Sequence, residues 1–382
     1  MHPMVKPVLR RAWREQQTVQ FGVTPAHAVL VGPVDTATGS FLELLDGTRG
    51  LPLLREEARS MGLTDRQVDS LVERLTAAGL IDDAAGGPDT AEALRTGSGV
   101  LDRMRSDLAS LSVIHREPGA GIRRLAARRS VRVQIRGAGR VGAAVAAMLS
   151  AAGIGRVDVL DSGQVAAWDV TPGGLPGESV GERRDTSARQ LVRRSAPGPA
   201  PGAAKHARSS PGGEPPLSLV IVAPRDGLAA YAPDPAEAEP WVTTGTPHLY
   251  AGVIEATGLV GPLVLPGGTA CSGCASRARA DHDPGWPRML AQWRSGRAAR
   301  VVPTCDLALA GVVAGLAAAH ALSFLDGELP ASTGARWEVS SPLLEWRSER
   351  IAPHPDCSCG AAGKTEGVRL SEAGARHDTM VR

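Results

Sequence analysis

The chain has 382 residues, which is enough for two domains with separate hydrophobic cores. Its formal net charge of +2 excludes a general electrostatic attraction to nucleic acids or membrane surfaces. No N-terminal run resembles a signal peptide, and the apolar stretch 307–322 contains Gly311, Gly315 and His320, so it is predicted to be a buried helix rather than a membrane span. Five cysteines without an export signal predict a cytoplasmic protein, in which closely spaced cysteines usually serve a metal or a reaction.

Residues 1–83 are predicted to form a small α+β domain. Residues 17–21 and 27–31 have the composition of short strands, and helical patterns follow at about 37–45, 51–61 and 64–79. The third helix begins with the capping-box spacing of Thr64 and Gln67. Two strands followed by three short helices form a winged-helix-like layout. This layout resembles the PqqD-type peptide-recognition domain of peptide-modifying systems.

Three functional interpretations of this first domain remain open. Winged helices often bind DNA, but acidic residues alternate with the arginines of the second and third helices, which is typical of an ordinary solvated surface. The resemblance implies instead that an exposed strand edge takes up an extended peptide by adding a strand. A purely structural or dimerising role is the third alternative.

Residues 84–129 are predicted to form a linker and a packing helix. The linker begins with Gly-Gly-Pro at 86–88, and apolar residues at helical spacing between 101 and 111 predict one helix packed on the following domain. A basic run then precedes the next strand and is predicted to be solvated, with a phosphate contact as the alternative. The run consists of Arg123, Arg124, Arg128 and Arg129.

The stretch 131–161 carries the strongest fold signal. A strand at 131–136 is followed by a glycine turn, an alanine-rich helix and a second strand that ends before Asp161. Gly137, Gly139 and Gly142 have the spacing G-x-G-x-x-G, which permits a tight turn and the approach of a phosphate to a helix N-terminus. Asp161 lies 19 positions after Gly142, where a Rossmann unit places an acceptor for ribose hydroxyls. The alternative is a βαβ unit whose glycines serve packing alone.

The segment after Asp161 is similar to the ThiF-type superfamily of ubiquitin-activating-like adenylyltransferases. The residues that fit the family pattern are Asp161, Val165, Val170, Val180 and Gly181, with Arg184 in place of a lysine. The resemblance implies an α/β fold over residues 130–360, a Rossmann-like sheet with helices on both faces. The residues to which it assigns nucleotide binding are Gly137, Gly139, Gly142, Asp161 and Arg184.

Departures from the family pattern argue against catalysis by this chain. Gly163 replaces an acid, Trp-Asp at 168–169 replaces a Ser-Asn pair, and Pro-Gly at 172–173 falls where the family has an Arg-Gln pair. Arg225 follows a buried strand at the position of an aspartate that serves Mg-ATP, although a shift of one residue would supply Asp226. Cationic Arg225 would repel Mg²⁺, so the pattern disfavours binding of ATP and Mg²⁺ while leaving it open as an alternative.

Four cysteines have the spacing of a structural zinc site. Cys271 and Cys274 form a C-x-x-C motif, and Cys357 and Cys359 form a C-x-C motif that begins 83 positions after Cys274. Two pairs of thiolates supply the ligands of a closed tetrahedral zinc site, which has no open position for catalysis. Unpaired thiols and a redox pair are the alternatives.

Three further residues have metal-binding or nucleophilic side chains. His282 and His354 are alternative ligands for one corner of the zinc site. Cys305 precedes an apolar helix, whose N-terminus can lower a thiol pKa. We predict a buried core role for Cys305, with a thioester-forming nucleophile as the alternative.

These features favour a partner protein in the maturation of ribosomal peptides. The resemblance to the ThiF-like component of azole- and thioamide-forming systems implies that the N-terminal domain binds a leader peptide, while a YcaO-type enzyme performs the ATP chemistry. The first alternative is an active adenylyltransferase that acts on a C-terminal carboxylate, and the second is a DNA-binding regulator. The family also implies a homodimer. Residues 197–216 and 361–382 are predicted to be a disordered insertion and a disordered tail.

Overall fold

The computed structural model describes residues 1–83, 99–198, 216–295, 302–364 and 380–381. The chain divides into two units, Met1–Ala127 with Glu372–Arg382, and Arg128–Ser371. The start of the predicted linker at 84–98, nearly all of the predicted insertion at 197–216 and most of the predicted tail at 361–382 lie outside the described residues.

The first unit has a small antiparallel sheet packed against three helices. Its strands are β1 (Pro3–Val5), β2 (Arg11–Glu15), β3 (Thr18–Phe21), β4 (Val29–Val31) and β5 (Ile81–Asp83), and its first helices are α1 (Thr36–Leu44), α2 (Leu51–Ser60) and α3 (Asp65–Ala77). β2, β3 and β4 are antiparallel neighbours, and β1 pairs with β5. The core between strands and helices includes Phe21, Phe41, Leu54, Val68 and Leu75.

The strands β3 and β4 and the three helices lie where the sequence predicts them. The capping box is present, because Oγ1 of Thr64 accepts from the Gln67 N–H at 3.4 Å and Oε1 of Gln67 accepts from the Thr64 N–H at 2.8 Å. The strands β1, β2 and β5 were not predicted from the sequence. All five residues of β2 are exposed, so this strand lacks the apolar alternation by which strands are recognised.

The helical region after residue 99 also differs from the prediction. The single predicted helix is divided at Met104 into α4 (Val100–Arg103) and α5 (Arg105–Ile114), and a further helix follows as α6 (Ala120–Arg128). Val100, Met104, Leu111 and Leu125 form a small core among these helices. The apolar residues of α4 and α5 continue at helical spacing across the break at Met104. Their pattern therefore predicts one helix instead of two.

Arg128 corrects the prediction of a solvated basic run. Its residue exposure is 4%, and its Nε and Nη2 donate to the two carboxylate oxygens of Asp326 at 2.9 and 2.6 Å. Its Nη1 donates to the Ala152 carbonyl at 3.1 Å. Asp326 is 198 residues away in the sequence, so the charges of the residues next to Arg128 do not indicate this partner.

The second unit is built on a seven-stranded mixed sheet. The strands are β6 (Arg132–Arg136), β7 (Arg156–Leu160), β8 (Leu219–Val222), β9 (His248–Ile254), β10 (Thr257–Val264), β11 (Ala335–Ser340) and β12 (Glu345–Arg350). Their order is β12-β11-β10-β9-β8-β6-β7, with β7, β6, β8 and β9 parallel and β9 to β12 antiparallel. The predicted α/β, Rossmann-like sheet is therefore confirmed.

Helices cover both faces of this sheet, as the sequence predicts. They are α7 (Arg140–Ala151), α8 (Arg184–Ser195), α9 (Gly227–Tyr231), α10 (Pro235–Thr243), α11 (Ser272–His282), α12 (Trp286–Ser295) and α13 (Leu307–Leu325). Ile221 and Leu249 belong to the core formed with α7 and α13, whereas their neighbours Val220 and Tyr250 belong to a second core with Trp241. Alternate residues of each central strand thus face opposite cores.

The helix α13 is long and apolar enough to cross a membrane, judged by length and composition alone. In this fold, Leu309, Val313, Ala317 and Ala321 are buried on one face of α13 and belong to the main core. The helix packs against β9, β10 and α7. Its place in the core accounts for the apolar residues on the buried face of α13.

Candidate functional site

The carboxyl ends of the parallel strands meet where the strand order reverses. β6 is followed by β7 on one side, and the chain returns through α8 to β8 on the other side. A reversal of this kind leaves a crevice at the strand ends. This crevice is bordered by the glycine turn after β6, by Asp161 after β7 and by Arg225 after β8.

The glycine turn between β6 and α7 depends on two of its glycines for packing. Gly137 has φ +108°, and a Cβ there would lie 2.0 Å from the Ala223 carbonyl oxygen. A Cβ on Gly142 would lie 2.1 Å from the Gly137 carbonyl oxygen. Gly139 caps α7, and a Cβ at this position would lie 3.4 Å from Cγ of Arg225. The side chain of Arg225 therefore lies over the glycine at which a phosphate would approach.

Asp161 and Arg184, two of the predicted nucleotide ligands, lie together and bind each other. Oδ2 of Asp161 accepts from the Ala138 N–H at 2.6 Å, and Oδ1 accepts from Nε of Arg184 at 2.9 Å. The Arg184 guanidinium also donates to the carbonyls of Ser162 and Gln164. The side chains of Asp161 and Arg184 are only 8% and 14% exposed, so each shields the other from solvent.

Three departures from the family pattern form one cluster. Nε of Arg225 donates to Oδ1 of Asp169 at 2.6 Å, and Oδ2 of Asp169 accepts from the Ala166 N–H at 2.9 Å. The Asp169 side chain is 3% exposed. The Arg225 guanidinium also lies 5.6 Å from the ring centroid of Trp168. In the sequence these are separate substitutions, and only the opposite charges of Arg225 and Asp169 could have indicated that they pair.

A cavity of about 110 Å³ remains beside this cluster. Its lining includes Gly139, Arg140, Trp168, Asp169, Arg225 and Cys305. Arg140, which sequence reasoning missed, donates through Nη1 to the Cys305 carbonyl at 2.6 Å. Small-molecule sites usually enclose roughly 300–1,000 Å³. The cavity is therefore small for a nucleotide.

Cys305 does not have the environment of a nucleophile. Burial raises the pKa of its thiol, although Arg140 acts in the opposite direction. A thiol with a raised pKa is protonated at neutral pH and reacts slowly. Cys305 is half-buried and packs against the main core, which agrees with the core role predicted for it rather than with the thioester-forming alternative.

The acidic residues that could serve Mg-ATP in the crevice are already engaged in other contacts. Asp161 and Asp169 already accept from arginines and backbone N–H groups. Asp226, the acid that a shifted register would supply, caps α9 by accepting from the Leu228 N–H at 3.0 Å. Mg²⁺ requires free carboxylate or phosphate oxygens, and the phosphates require unpaired cations. The two carboxylates of this crevice are instead paired with Arg184 and Arg225, whereas Arg140 donates to the Cys305 carbonyl.

A second cluster lies beyond β10 and contains the four predicted zinc ligands. The Sγ atoms of Cys271, Cys274, Cys357 and Cys359 all lie within 4.8 Å of one another. Neighbouring sulfurs are 3.5 to 3.9 Å apart, too far for disulfides. Four thiolates at about 2.3 Å from a tetrahedral zinc ion would lie about 3.8 Å apart. The cluster could therefore hold a metal ion of this kind.

Local structure positions these sulfurs. Cys271 is the N-cap of α11 and Cys274 lies in its first turn, where the helix dipole favours thiolates. Burial raises the pKa of both thiols. For Cys357, burial also opposes the thiolate, but the Cys359 N–H and the neighbouring thiols lower its pKa on balance. A bound cation would offset the charge of the remaining thiolates.

The two histidines proposed as alternative ligands are not part of this cluster. Within the part of the chain that the structure describes, the metal-ligating group consists of the four cysteines. His354 instead contacts Asp281 through Nε2 at 2.8 Å, and its Nδ1 accepts from the Asp356 N–H at 3.1 Å. His282 is the last residue of α11, ten positions after its first residue, Ser272.

Residues 113–361, more than half of the chain, match the ThiF family. The chain belongs to the ThiF family. Both the crevice and the cysteine cluster of this ThiF-family protein lie within the matched region. No curated protein matches the chain significantly in sequence.

Solved structures with the same fold include complexes of E. coli MccB. The structure of MccB with ATP has a TM-score of 0.65 at 16% identity, covering 94% of this ThiF-family chain and 99% of MccB. The microcin C7 biosynthetic enzyme MccB with N-formylated MccA has a TM-score of 0.66 at 15% identity, covering 94% and 100%. The heterocyclase TruD has a TM-score of 0.60 at 15% identity, covering 95% of this chain but 43% of TruD. At these identities the similarity establishes the fold.

Proposed function

We propose that this ThiF-family protein is a partner protein in peptide maturation, which binds a precursor peptide and presents it to a modifying enzyme. The observation that carries the proposal is the ion pair of half-buried Arg225 with buried Asp169 at the glycine turn. With the pair of Arg184 and Asp161, it occupies the positions at which the family binds ATP. In this proposal the chain binds a peptide and does not itself catalyse adenylylation.

The solved relatives support a role in peptide maturation. MccB is a microcin biosynthetic enzyme solved with MccA, and TruD is a heterocyclase. This chain corresponds to 43% of TruD, so more than half of TruD has no counterpart here. We propose that the modification is performed by a separate enzyme, of the YcaO type that the family resemblance implies.

The peptide-binding surface is proposed to be the edge of β4 in the first unit. Val29 and Val31 are buried on the core side, and Leu30 between them is half-buried. Nη2 of Arg74 on α3 donates to the Gly32 carbonyl at 3.3 Å, which places α3 beside the end of β4. A peptide added to this edge would gain main-chain hydrogen bonds and contacts with α3.

We expect the purified protein to bind no Mg-ATP. A nucleotide at about 100 times its Kd raises the free energy of unfolding by about 2.7 kcal/mol, whereas a site filled by internal ion pairs gives no such gain. Urea denaturation with and without Mg-ATP, together with calorimetric titration, measures this difference. E. coli MccB, which has been solved with ATP, is the positive control.

Stabilisation by Mg-ATP with pyrophosphate exchange would support the second candidate, an active adenylyltransferase acting on a C-terminal carboxylate. That candidate is favoured by the fold match to nearly the whole of MccB, including its ATP complex. The nucleotide-binding role of Gly137, Gly139, Gly142, Asp161 and Arg184 would then be retained with a rearranged crevice. If no pyrophosphate exchange is observed, the nucleotide-binding role of these residues stays a prediction.

We expect Leu30→Asp to weaken the binding of a precursor peptide about tenfold, equivalent to about 1.4 kcal/mol. The new charge would lie beside the added strand, on the outer face of β4. The probe is a labelled precursor peptide from any small reading frame found next to this gene, and anisotropy titration gives its Kd. Trp13→Asp, at an exposed position of β2, is the matched control. Equal losses in both variants would place the peptide elsewhere.

The metal in the cysteine cluster is proposed to be structural zinc. A homodimer is supported by the exposed apolar residues Leu307 and Val312 on α13. A cytoplasmic location stays a prediction. DNA binding is disfavoured, because Arg55 and Arg59 on α2 form ion pairs with acids of α3.

A further inference from the structure

The two outer strands of the sheet formed by β2, β3 and β4 differ in their capacity to accept another strand. β2 is fully exposed and carries Arg11, Arg14 and Glu15. Its pairing with β3 shifts register between Trp13 and Glu15. Charges and bulges on an outer strand discourage the addition of further strands. The edge of β2 is therefore protected.

The edge of β4 has none of these protections and already carries a further strand. Its three residues are Val-Leu-Val, and they pair with β3 without a register shift. The C-terminal segment Met380–Val381, here β13, lies parallel to β4, with Met380 opposite Leu30 and Val381 opposite Val31. The four-stranded sheet β13-β4-β3-β2 therefore uses the chain's own C-terminal segment as its outer strand.

We propose that β13 is an internal competitor for the strand-addition edge of β4. The inference deepens the proposed function, since it rests on that edge as the site of the precursor peptide. Two strands cannot pair with the same edge at once, so an incoming peptide must displace Met380–Val381. β13 has only two paired residues, so a longer peptide with more main-chain hydrogen bonds can replace it.

Covalent attachment makes this weak strand an effective competitor. A tethered segment has a local concentration on the order of millimolar, which exceeds the concentration of most free peptides. The apparent Kd of an incoming peptide rises in inverse proportion to the fraction of molecules whose edge is free. Peptides that pair well with β4 can therefore displace β13, whereas short or weakly pairing peptides cannot.

The test uses the full chain and a peptide from its own sequence. The double variant Met380→Pro/Val381→Pro loses the backbone N–H groups of β13, whereas Met380→Ala/Val381→Ala keeps them and is the matched control. The probe is a fluorescein-labelled synthetic peptide of residues 371–382. We expect it to bind the proline variant at least about tenfold more tightly than the wild type or the alanine variant, because only the proline variant has a free edge.

Hydrogen exchange of the wild type and both variants gives an independent measurement. Amides of Val29–Val31 are expected to exchange faster in the proline variant only, and the peptide of residues 371–382 should restore their protection. Equal peptide affinity for all three proteins, or failure to bind the proline variant, would overturn the inference. If that peptide binds but no precursor peptide does, the self-pairing stands and the proposed function fails.

Discussion

Replacement of Cys271 or Cys274 by serine is expected to remove one zinc ion per chain and to lower the stability of the second unit by several kcal/mol. All four sulfurs lie within 4.8 Å of one another, so the loss of one leaves three thiols that cannot complete the tetrahedron. A metal bound by the four cysteines would join α11 to the segment around Cys357 and Cys359. Without it, burial acts against the thiolate forms of Cys271 and Cys274, whose pKa values it raises.

Elemental analysis of the purified protein gives the zinc content, and thermal unfolding with and without a chelator gives the stability. Cys305→Ser is the matched control, since Cys305 lies at the crevice and outside the cysteine cluster. It should keep its zinc and respond to the chelator like the wild type. A wild type without metal, or a Cys271→Ser variant with a full complement of zinc, would contradict the assignment.

The second large effect is expected from Arg128→Met, which should cost about 3–5 kcal/mol of unfolding free energy. Both side chains of the pair with Asp326 are 5% exposed, and the substitution leaves the Asp326 carboxylate buried without its two donors. It also leaves the Ala152 carbonyl without the donor it has from Nη1. An uncompensated buried charge is among the few single changes with a cost of this size.

Urea denaturation measures this cost, and two further variants define its cause. Arg183→Met is the matched control in the same unit, since Arg183 makes the same two-pronged contact with Asp185 but has a side chain that is 67% exposed. It should change stability little. The double variant Arg128→Met/Asp326→Leu should recover most of the loss, because it removes both charges. A double variant as unstable as the single one would point to packing rather than charge.

The sequence was sufficient for features that depend on neighbouring residues. The capping box of Thr64 and Gln67 lies within one helical turn, and the glycine turn of Gly137 to Gly142 requires backbone geometry that few other residues allow. The C-x-x-C motif at Cys271 needs only the first turn of α11 to bring two sulfurs together. Each pattern specifies its own local structure, so each could be recognised before the fold was known.

Contacts between distant residues depended on the tertiary structure. Arg225 and Asp169 are 56 residues apart, and they meet because the strand order places β8 beside β6 at the glycine turn. Arg128 was expected to be solvated, because its partner Asp326 is 198 residues away. The pairing of Met380–Val381 with β4 likewise has no local signal in the sequence. Local interactions therefore determined the elements and the turn, whereas the order of strands and the packing of helices decided which charges met and which strand edge was covered.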